Sequence, residues 1–407
     1  MERAIRVSTI LLLGLALLLG VWAAVPRPRH AMSPSSPPSL PPDQPGPPGT
    51  LRPAPNFSYD PSPASVSPHP KSGRYVAAWM PTDWDTAEAR SSFEANLDIL
   101  DEVSPIWYEM RSNGTLLVLG GARDETLIRL AHQADVLVLP CLTNGFDPER
   151  TGYTLGNPER RSAFVRRILA EVEEYGYDGI DIDFEAVPAA ERDEFTAFIR
   201  ELAAGLHEKG RLLSVAIHAR TGEKGGAPGA QAQDWAALGQ SVDRFRIMTY
   251  DYHWRGGGPG PIAPIYWVQE VIEYARTQVD PAKIELGVPF YGYDWVGGEG
   301  SGVRWSEIQA LLEAHRPRVN LMEWDERGEV AESWFTYRDR DGQHTVWFAS
   351  RRSLEAKLEL LVQYDLAGIA IWRLGGEDPA YWEAIRRILP LDPYEVQRSI
   401  LRYLPEP

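Results

Sequence analysis

A closed (β/α)8 barrel, the TIM-barrel class of α/β fold, is what the sequence predicts from about residue 74 to 390. Three observations carry this. Eight short apolar runs alternate with amphipathic stretches over about 300 residues, as strands and helices do in such a barrel. No glycine-rich phosphate loop follows the first run, which weakens the alternative, an open doubly wound sheet. The rhythm breaks once, between the seventh and eighth runs, where far more residues lie than a βα unit needs.

In chain order the expected strands are 74–80, 105–110, 134–142, 179–185, 212–219, 245–252, 284–291 and 368–374. Helical spacing of apolar residues predicts helices over 162–175, 190–209, 263–278, 353–364 and 379–388. The break, 294–349, reads as a small α+β insertion on the C-terminal rim. It holds a helix pattern at 305–315 and strand-like pieces at 332–338 and 344–348, with the turn residues Asp341-Gly342 between them. The tail, 391–407, contains a short helix pattern at 393–401.

The barrel is preceded by two segments of different character. Residues 1–25 open with Glu2, Arg3 and Arg6 and then carry no charge from Val7 to Val25. This is the pattern of a signal peptide or of an uncleaved signal anchor, and the stretch is about long enough to span a bilayer. Release and N-terminal membrane anchoring both stay open. Residues 26–73 hold nearly half of the chain's 34 prolines, interleaved with Ser, Ala and Gly. They offer too little apolar surface to offset the entropy of folding and read as a Pro-rich disordered linker.

The 407 residues are 43% hydrophobic, enough for a large core. The formal net charge of -16 argues against nucleic acid and against an anionic membrane surface as partners. A single cysteine, Cys141, excludes an intrachain disulfide, and its apolar surroundings make it a small buried hydrophobe.

Chemistry concentrates in the fourth strand, Asp178-Gly179-Ile180-Asp181-Ile182-Asp183-Phe184-Glu185. Strand side chains alternate faces, so Asp181, Asp183 and Glu185 share one face, with neighbours roughly 6.5 Å apart at Cα. Carboxylates that close raise one another's pKa, which suits a proton donor at neutral pH. In a barrel the strand's C-terminal end meets the substrate. Glu185 stands there, with Asp183 one layer below and Asp181 deeper. Asp178 lies outside the alternation and is expected to be structural. A solvated acidic face fits poorly, because barrel strands are covered on both sides. A Mg2+ or Ca2+ site is the other alternative, but a His-x-His pair on the first strand is absent.

The sixth strand brings Tyr250 and Asp251 toward the rim, and the eighth brings Trp372, a flat platform for a sugar ring. The first two strands end in Trp79, Trp107 and Tyr108. Fourteen Trp residues in all suit stacking on sugar faces.

Asp178 to Glu185 matches the Asp-x-x-Asp-x-Asp-x-Glu signature of glycoside hydrolase family 18, the chitinase family. Met248-Thr249-Tyr250-Asp251 resembles its sixth-strand motif, Trp372 its eighth-strand tryptophan, and the insertion its small insertion domain. The stretches 250–254, 259–264 and 291–295 look most like the bacterial spore-cortex-lytic branch, which acts on N-acetylglucosamine linkages in peptidoglycan. The third strand ends Leu139-Pro140-Cys141-Leu142-Thr143-Asn144-Gly145, unlike the Ser-x-Gly-Gly of typical chitinases.

The resemblance implies a retaining glycosidase in which the substrate's acetamido oxygen is the nucleophile, an exception to the two-carboxylate scheme. Glu185 would be the acid and base, Asp183 would hold the acetamido N–H, Asp181 would tune Asp183 and share a proton with it, and Tyr250 would donate to the acetamido carbonyl. Trp372, Asp251, Met248, Trp79, Trp107 and Tyr108 are the expected substrate contacts. The implied partner is an N-acetylglucosamine-containing polysaccharide, peptidoglycan or chitin-type. No cofactor or metal is implied, and the location is secreted or cell envelope. The rival reading is a chitinase-like lectin that binds glycan without cutting it.

Overall fold

The computed structural model describes residues 70–227 and 229–396. The apolar segment 1–25, nearly all of the linker 26–73 and the end of the tail therefore lie outside the described residues. Among the described residues no helix is long and apolar enough to cross a membrane.

Eight parallel strands close into the expected barrel. They are β1 (Tyr75–Met80), β2 (Glu102–Met110), β3 (Cys141–Thr143), β4 (Gly179–Asp183), β5 (Leu212–His218), β6 (Arg244–Met248), β7 (Ile284–Pro289) and β8 (Gly368–Trp372). Each pairs with the next, and β8 returns to β1 with Ala370 opposite Ala77. The alternation of each strand divides its side chains. Ile180, Ile182, Val215, Phe245, Ile247, Leu286 and Ile371 face outward into the large core shared with the helices. Ala77, Trp79, Ile106, Cys141, Ala216 and Ala370 form a small apolar layer inside the barrel, with Met248 and Trp372 against it. Cys141 is fully buried there, as its surroundings predicted.

Strand bounds shift by one to three residues in most strands, and three of the departures have a clear local reason. The run 134–142 splits into Leu137–Val138 and β3, because Pro140 between them has no N–H to give the ladder. β6 stops at Met248 rather than 252, and Asp251 beyond it takes a left-handed backbone, φ 61°. β4 stops at Asp183, so Glu185 stands just past the ladder, followed by Ala186 at φ 53°. Four helices had escaped the periodicity: Thr86–Ala95, Glu125–Gln133, Pro148–Leu155 and Trp235–Ser241. The last three are capped by Asp124, Asp147 and Asp234, whose carboxylates accept backbone N–H groups of the first turn.

The insertion between β7 and β8 is α+β as expected but more regular. It is a five-stranded antiparallel sheet in the order Glu299–Val303, Gly292–Val296, Gln343–Phe348, Glu329–Arg338 and Asn320–Trp324. The helix Trp305–His315 covers one face through Ile308, against Val303, Phe335, Val346 and Phe348. The other face joins the barrel rim, where Tyr293, Trp295 and Trp347 pack with Ile262 and Tyr250. Glu332, fully buried, clasps the segment after β6 by accepting from Ile262 N and Ala263 N at 2.6 and 3.0 Å, and Lys357 at 3.2 Å balances its charge.

Candidate active site

The acidic face of β4 points into the barrel and climbs from a fully paired carboxylate to an unpaired one. Asp181, at the bottom, is completely buried. Its Oδ2 accepts from Trp79 Nε1 at 2.8 Å, and its Oδ1 from Ser214 Oγ and, at 3.1 Å, from Arg246. Arg246 in turn donates at 2.7 Å each to Ser104 Oγ, Glu102 and Glu285, and Arg244 bridges Glu102 and Glu285 from beside it. These charges form a layer across the barrel floor, shut off from water. They are charge-assisted hydrogen bonds in fixed geometry, the strong kind.

Asp183 sits one layer up and differs sharply. Its Oδ1 is shielded from solvent and has no hydrogen-bond partner. Burial, then the charges of Glu185 and Asp181, hold its pKa well above the usual carboxylate range.

Glu185 is half-buried, its side chain 24% exposed at the mouth of the barrel. Asn144, at the end of β3, fixes it through the backbone: Oδ1 accepts from Glu185 N at 3.1 Å and Nδ2 donates to Glu185 O. Burial, then the nearby charge of Asp251, raise its pKa to about 7. Glu185 is thus a carboxylic acid over much of the neutral range, able both to give and to take a proton. Tyr250 lies nearby on the segment after β6. Burial and the surrounding carboxylates keep its phenol protonated, a donor. Its ring passes over Gly287, where an added Cβ would lie 3.0 Å from that ring and 2.3 Å from Ile247 O, so only glycine fits. Asp251 accepts from the hydroxyls of Tyr291 and, at 3.0 Å, Tyr293, which tie it to the insertion.

Trp372 is half-exposed at the end of β8, edge-on to Trp79 with ring centroids 5.8 Å apart. Met248 is half-buried in the same layer. Glu185, Asp183, Tyr250, Asp251, Met248 and Trp372 therefore converge at one end of the barrel. Trp79 shares that layer, but it is 1% exposed and donates to Asp181. Two expected contacts do not belong there. Trp107 and Tyr108 are buried elsewhere, in the core between barrel and helices, where Tyr108 Oη meets Tyr177 and Glu171. A run of apolar residues does not say which face a Trp takes, and Trp107 falls on the outward one. Three exposed aromatics lie instead on loops past the strand ends: Trp84 after β1, Phe146 after β3 and Trp254 after β6.

Asp178 is structural as expected, its Oδ2 accepting from Val138 N and meeting His132 Nε2, both at 2.8 Å. Sequence reasoning missed Asn144, His218 and the floor residues Glu102, Ser104, Ser214, Arg244, Arg246 and Glu285. The available signal was charge inside strand runs, Arg244 and Arg246 above all. Among the described residues no group of three His, Cys, Asp or Glu side chains is placed to hold a metal ion.

The model of glycosyl hydrolases family 18 matches residues 110–377, well over half of the chain and inclusive of β4 and β8. The chain belongs to that family. It is 34% identical over 286 residues to YdhD of Bacillus subtilis (strain 168), covering 69% of this chain and 67% of that one. Among solved structures, the Bacillus cereus spore cortex-lytic enzyme SleL superposes with TM-score 0.70 at 27% identity, over 78% of this chain and 74% of SleL. A Chromobacterium violaceum chitinase superposes with TM-score 0.71 at 28% identity, over 78% of this chain and 99% of its own. The bacterial relatives matched are spanned over 59% to 70% of their length. As a family 18 member the chain is a glycosidase.

Proposed function

We propose that the protein hydrolyses β-1,4-linked N-acetylglucosamine glycans with retention, the substrate's own acetamido oxygen attacking the anomeric carbon. The observation that carries this is the contrast between Glu185 and Asp183. One acid stands at the mouth with a pKa near neutrality. The other lies below it on the same strand with a buried, unpaired oxygen. Both carboxylates approach from one side, so Asp183 is poorly placed to attack a carbon whose leaving group Glu185 protonates. It is well placed to accept an acetamido N–H, whose positive charge grows as the ring closes on itself. Glu185 donates its proton to the leaving oxygen, then takes one from the water that opens the cyclic intermediate. Tyr250 donates to the acetamido carbonyl, Trp372 floors the subsite, and Asp251 and Met248 line it.

Peptidoglycan is the polymer we favour. The cortex-lytic neighbour supports it, as do the apolar segment 1–25 and Pro-rich spacer 26–73, which suit a secreted or envelope-bound enzyme. Product analysis after incubation with purified peptidoglycan and, in parallel, chitin tests the reading. Release of fragments from neither would overturn it. The presence of Glu185 with a donor's pKa counts against a purely binding, lectin-like role.

The acetamido mechanism makes its own demand. Cellulose, and oligomers with de-acetylated glucosamine at the cleavage subsite, should be inert, while a thiazoline analogue of N-acetylglucosamine should inhibit as a mimic of the cyclic intermediate. Cleavage of cellulose at a rate comparable to that of chitooligosaccharides would exclude it.

A pH dependence follows from the raised Glu185. Below its pKa of about 7 the donor is protonated, and above it the proton is lost. The alkaline limb of kcat/KM should bend near pH 7, well above where an ordinary glutamate would place it. The same shift acts on stability: the protonated form suits the folded state, so its contribution is complete below the ordinary carboxylate range and is lost as pH rises through about 7. An alkaline limb below pH 5 would contradict the assignment of Glu185 as donor.

A further inference from the structure

β5 brings to the mouth of the barrel a polar side chain that the reaction above leaves unused. The register pairs Asp181 with Ser214. Continued four residues along both strands, it sets Glu185 beside His218. His218 Nδ1 lies 3.8 Å from Glu185 Oε2. The imidazole ends β5, is 6% exposed, and its Nε2 is closed to solvent without a hydrogen-bond partner. Its backbone is pinned in place. The fully buried Gln233 accepts from His218 N through Oε1 at 2.8 Å and donates through Nε2 to Ala216 O at 3.3 Å. The ring nitrogen that faces Glu185 is the other one, Nδ1.

We propose that His218 is a positioning residue for the proton donor: its Nδ1–H closes on the Glu185 carboxylate once Glu185 has released its proton, and withdraws when the proton returns. The inference rests on Glu185 being the donor. A separation of 3.8 Å is too long for a hydrogen bond in the resting state. A shift of about an ångström would make one, and an ionised carboxylate draws an N–H more strongly than the neutral acid does. An interaction gained only as the carboxylate forms speeds the step instead of merely tightening the resting state. The proton account is simple. The Glu185 O–H bond breaks and its proton goes to the glycosidic oxygen. The electron pair left on Oε2 accepts the Nδ1–H, and His218 keeps its own proton throughout. When Glu185 recovers a proton from water, the contact lapses.

Neutrality of the ring is essential, and burial supplies it by pulling the His218 pKa down to about 4. A cationic imidazole would strip the proton from Glu185 in the resting enzyme. The other groups facing Glu185 are Asp183 on its own strand and Asp251 and Tyr250 on the segment after β6. Asn144, after β3, engages only its backbone. His218 is thus the donor that β5 offers to the carboxylate.

Kinetics of His218→Leu and His218→Asn on a chitooligosaccharide, across pH, test this. With Leu, kcat should fall about tenfold with KM changed less than about twofold, and the alkaline limb should move up by about half a unit or more, the scale of one charge-assisted hydrogen bond. Asn places an amide N–H near the position of Nδ1 and should restore most of both. Packing alone would leave the limb unmoved or make Asn no better than Leu, and either result overturns the proposal. Imidazole nitrogen NMR on the unmodified protein gives a readout that needs no His218 variant to fold. Above pH 8 the Nδ1–H tautomer should dominate and should respond to Glu185→Gln, whereas an Nε2–H tautomer indifferent to that change overturns the proposal. Substantial turnover by Glu185→Gln would instead remove the donor reading. An inactive Glu185→Gln alongside unmoved His218 profiles removes this inference alone.

Discussion

Glu185→Gln should reduce glycan hydrolysis by roughly 100- to 10,000-fold while leaving folding and glycan binding largely intact. The amide keeps the volume and one carbonyl oxygen but has no proton to transfer to the leaving group. The change should be benign for the fold. Glu185 is held by Asn144 through its backbone, and its side-chain oxygens enter none of the buried ion pairs of the barrel floor. Removal of an ionisable group with a pKa of about 7 also takes away the stability lost on raising the pH through that value. The variant should therefore denature at the same or a slightly higher temperature than the parent at pH 8. Turnover and thermal melting measured on one preparation check both halves. Near-normal turnover would remove Glu185 from the role of proton donor.

The amino-acid pattern was most readable where strand period and chemistry coincide. β4 announced itself because acids and β-branched or aromatic residues alternate, and alternation assigns faces without knowledge of neighbours. The barrel followed from eight apolar runs and the helices between them. What stayed hidden depends on which strands become neighbours. His218 and Ser214 lie on β5, Asn144 after β3, and Arg246 on β6. Each becomes part of the site only through pairing and closure, which no local pattern encodes. Trp107 shows the opposite failure. It sits in a strand at the correct height but on the outward face, and the uniformly apolar run Ile106-Trp107-Tyr108 contains no polar residue to mark the faces. The insertion's outer strands, Glu299–Val303 and Asn320–Trp324, are largely exposed. They carry glycines or mixed polarity, so their pairing comes from neighbours and not from composition.

The second large effect lies beneath the site. Arg246→Met should destabilise the barrel by about 3–5 kcal/mol at neutral pH, the cost of removing one partner from a buried charge network. The floor holds three acids, Asp181, Glu102 and Glu285, against two guanidinium groups, Arg244 and Arg246. Burial is the main reason that the Glu285 pKa rises to about 7, so one proton readily joins the excess negative charge. Taking Arg246 away leaves three buried carboxyls to one cation and strips Ser104 of its donor. A deficit of that size should lower the melting temperature on the order of 10 °C. The loss should shrink as pH falls through the range in which these carboxyls take up protons, since a neutral acid needs no counter-charge. Activity should fall with stability, because Asp181, directly below Asp183 on the same strand face, loses the donor that fixes its Oδ1. Arg246→Lys, which keeps the charge but not the fork of donors, should fall between the two. Urea unfolding at pH 5 and pH 7.5 separates the contributions. A destabilisation under 1 kcal/mol, or one equal at both pH values, would mean that water or rearranged packing replaces the guanidinium and that the floor is not an electrostatic unit.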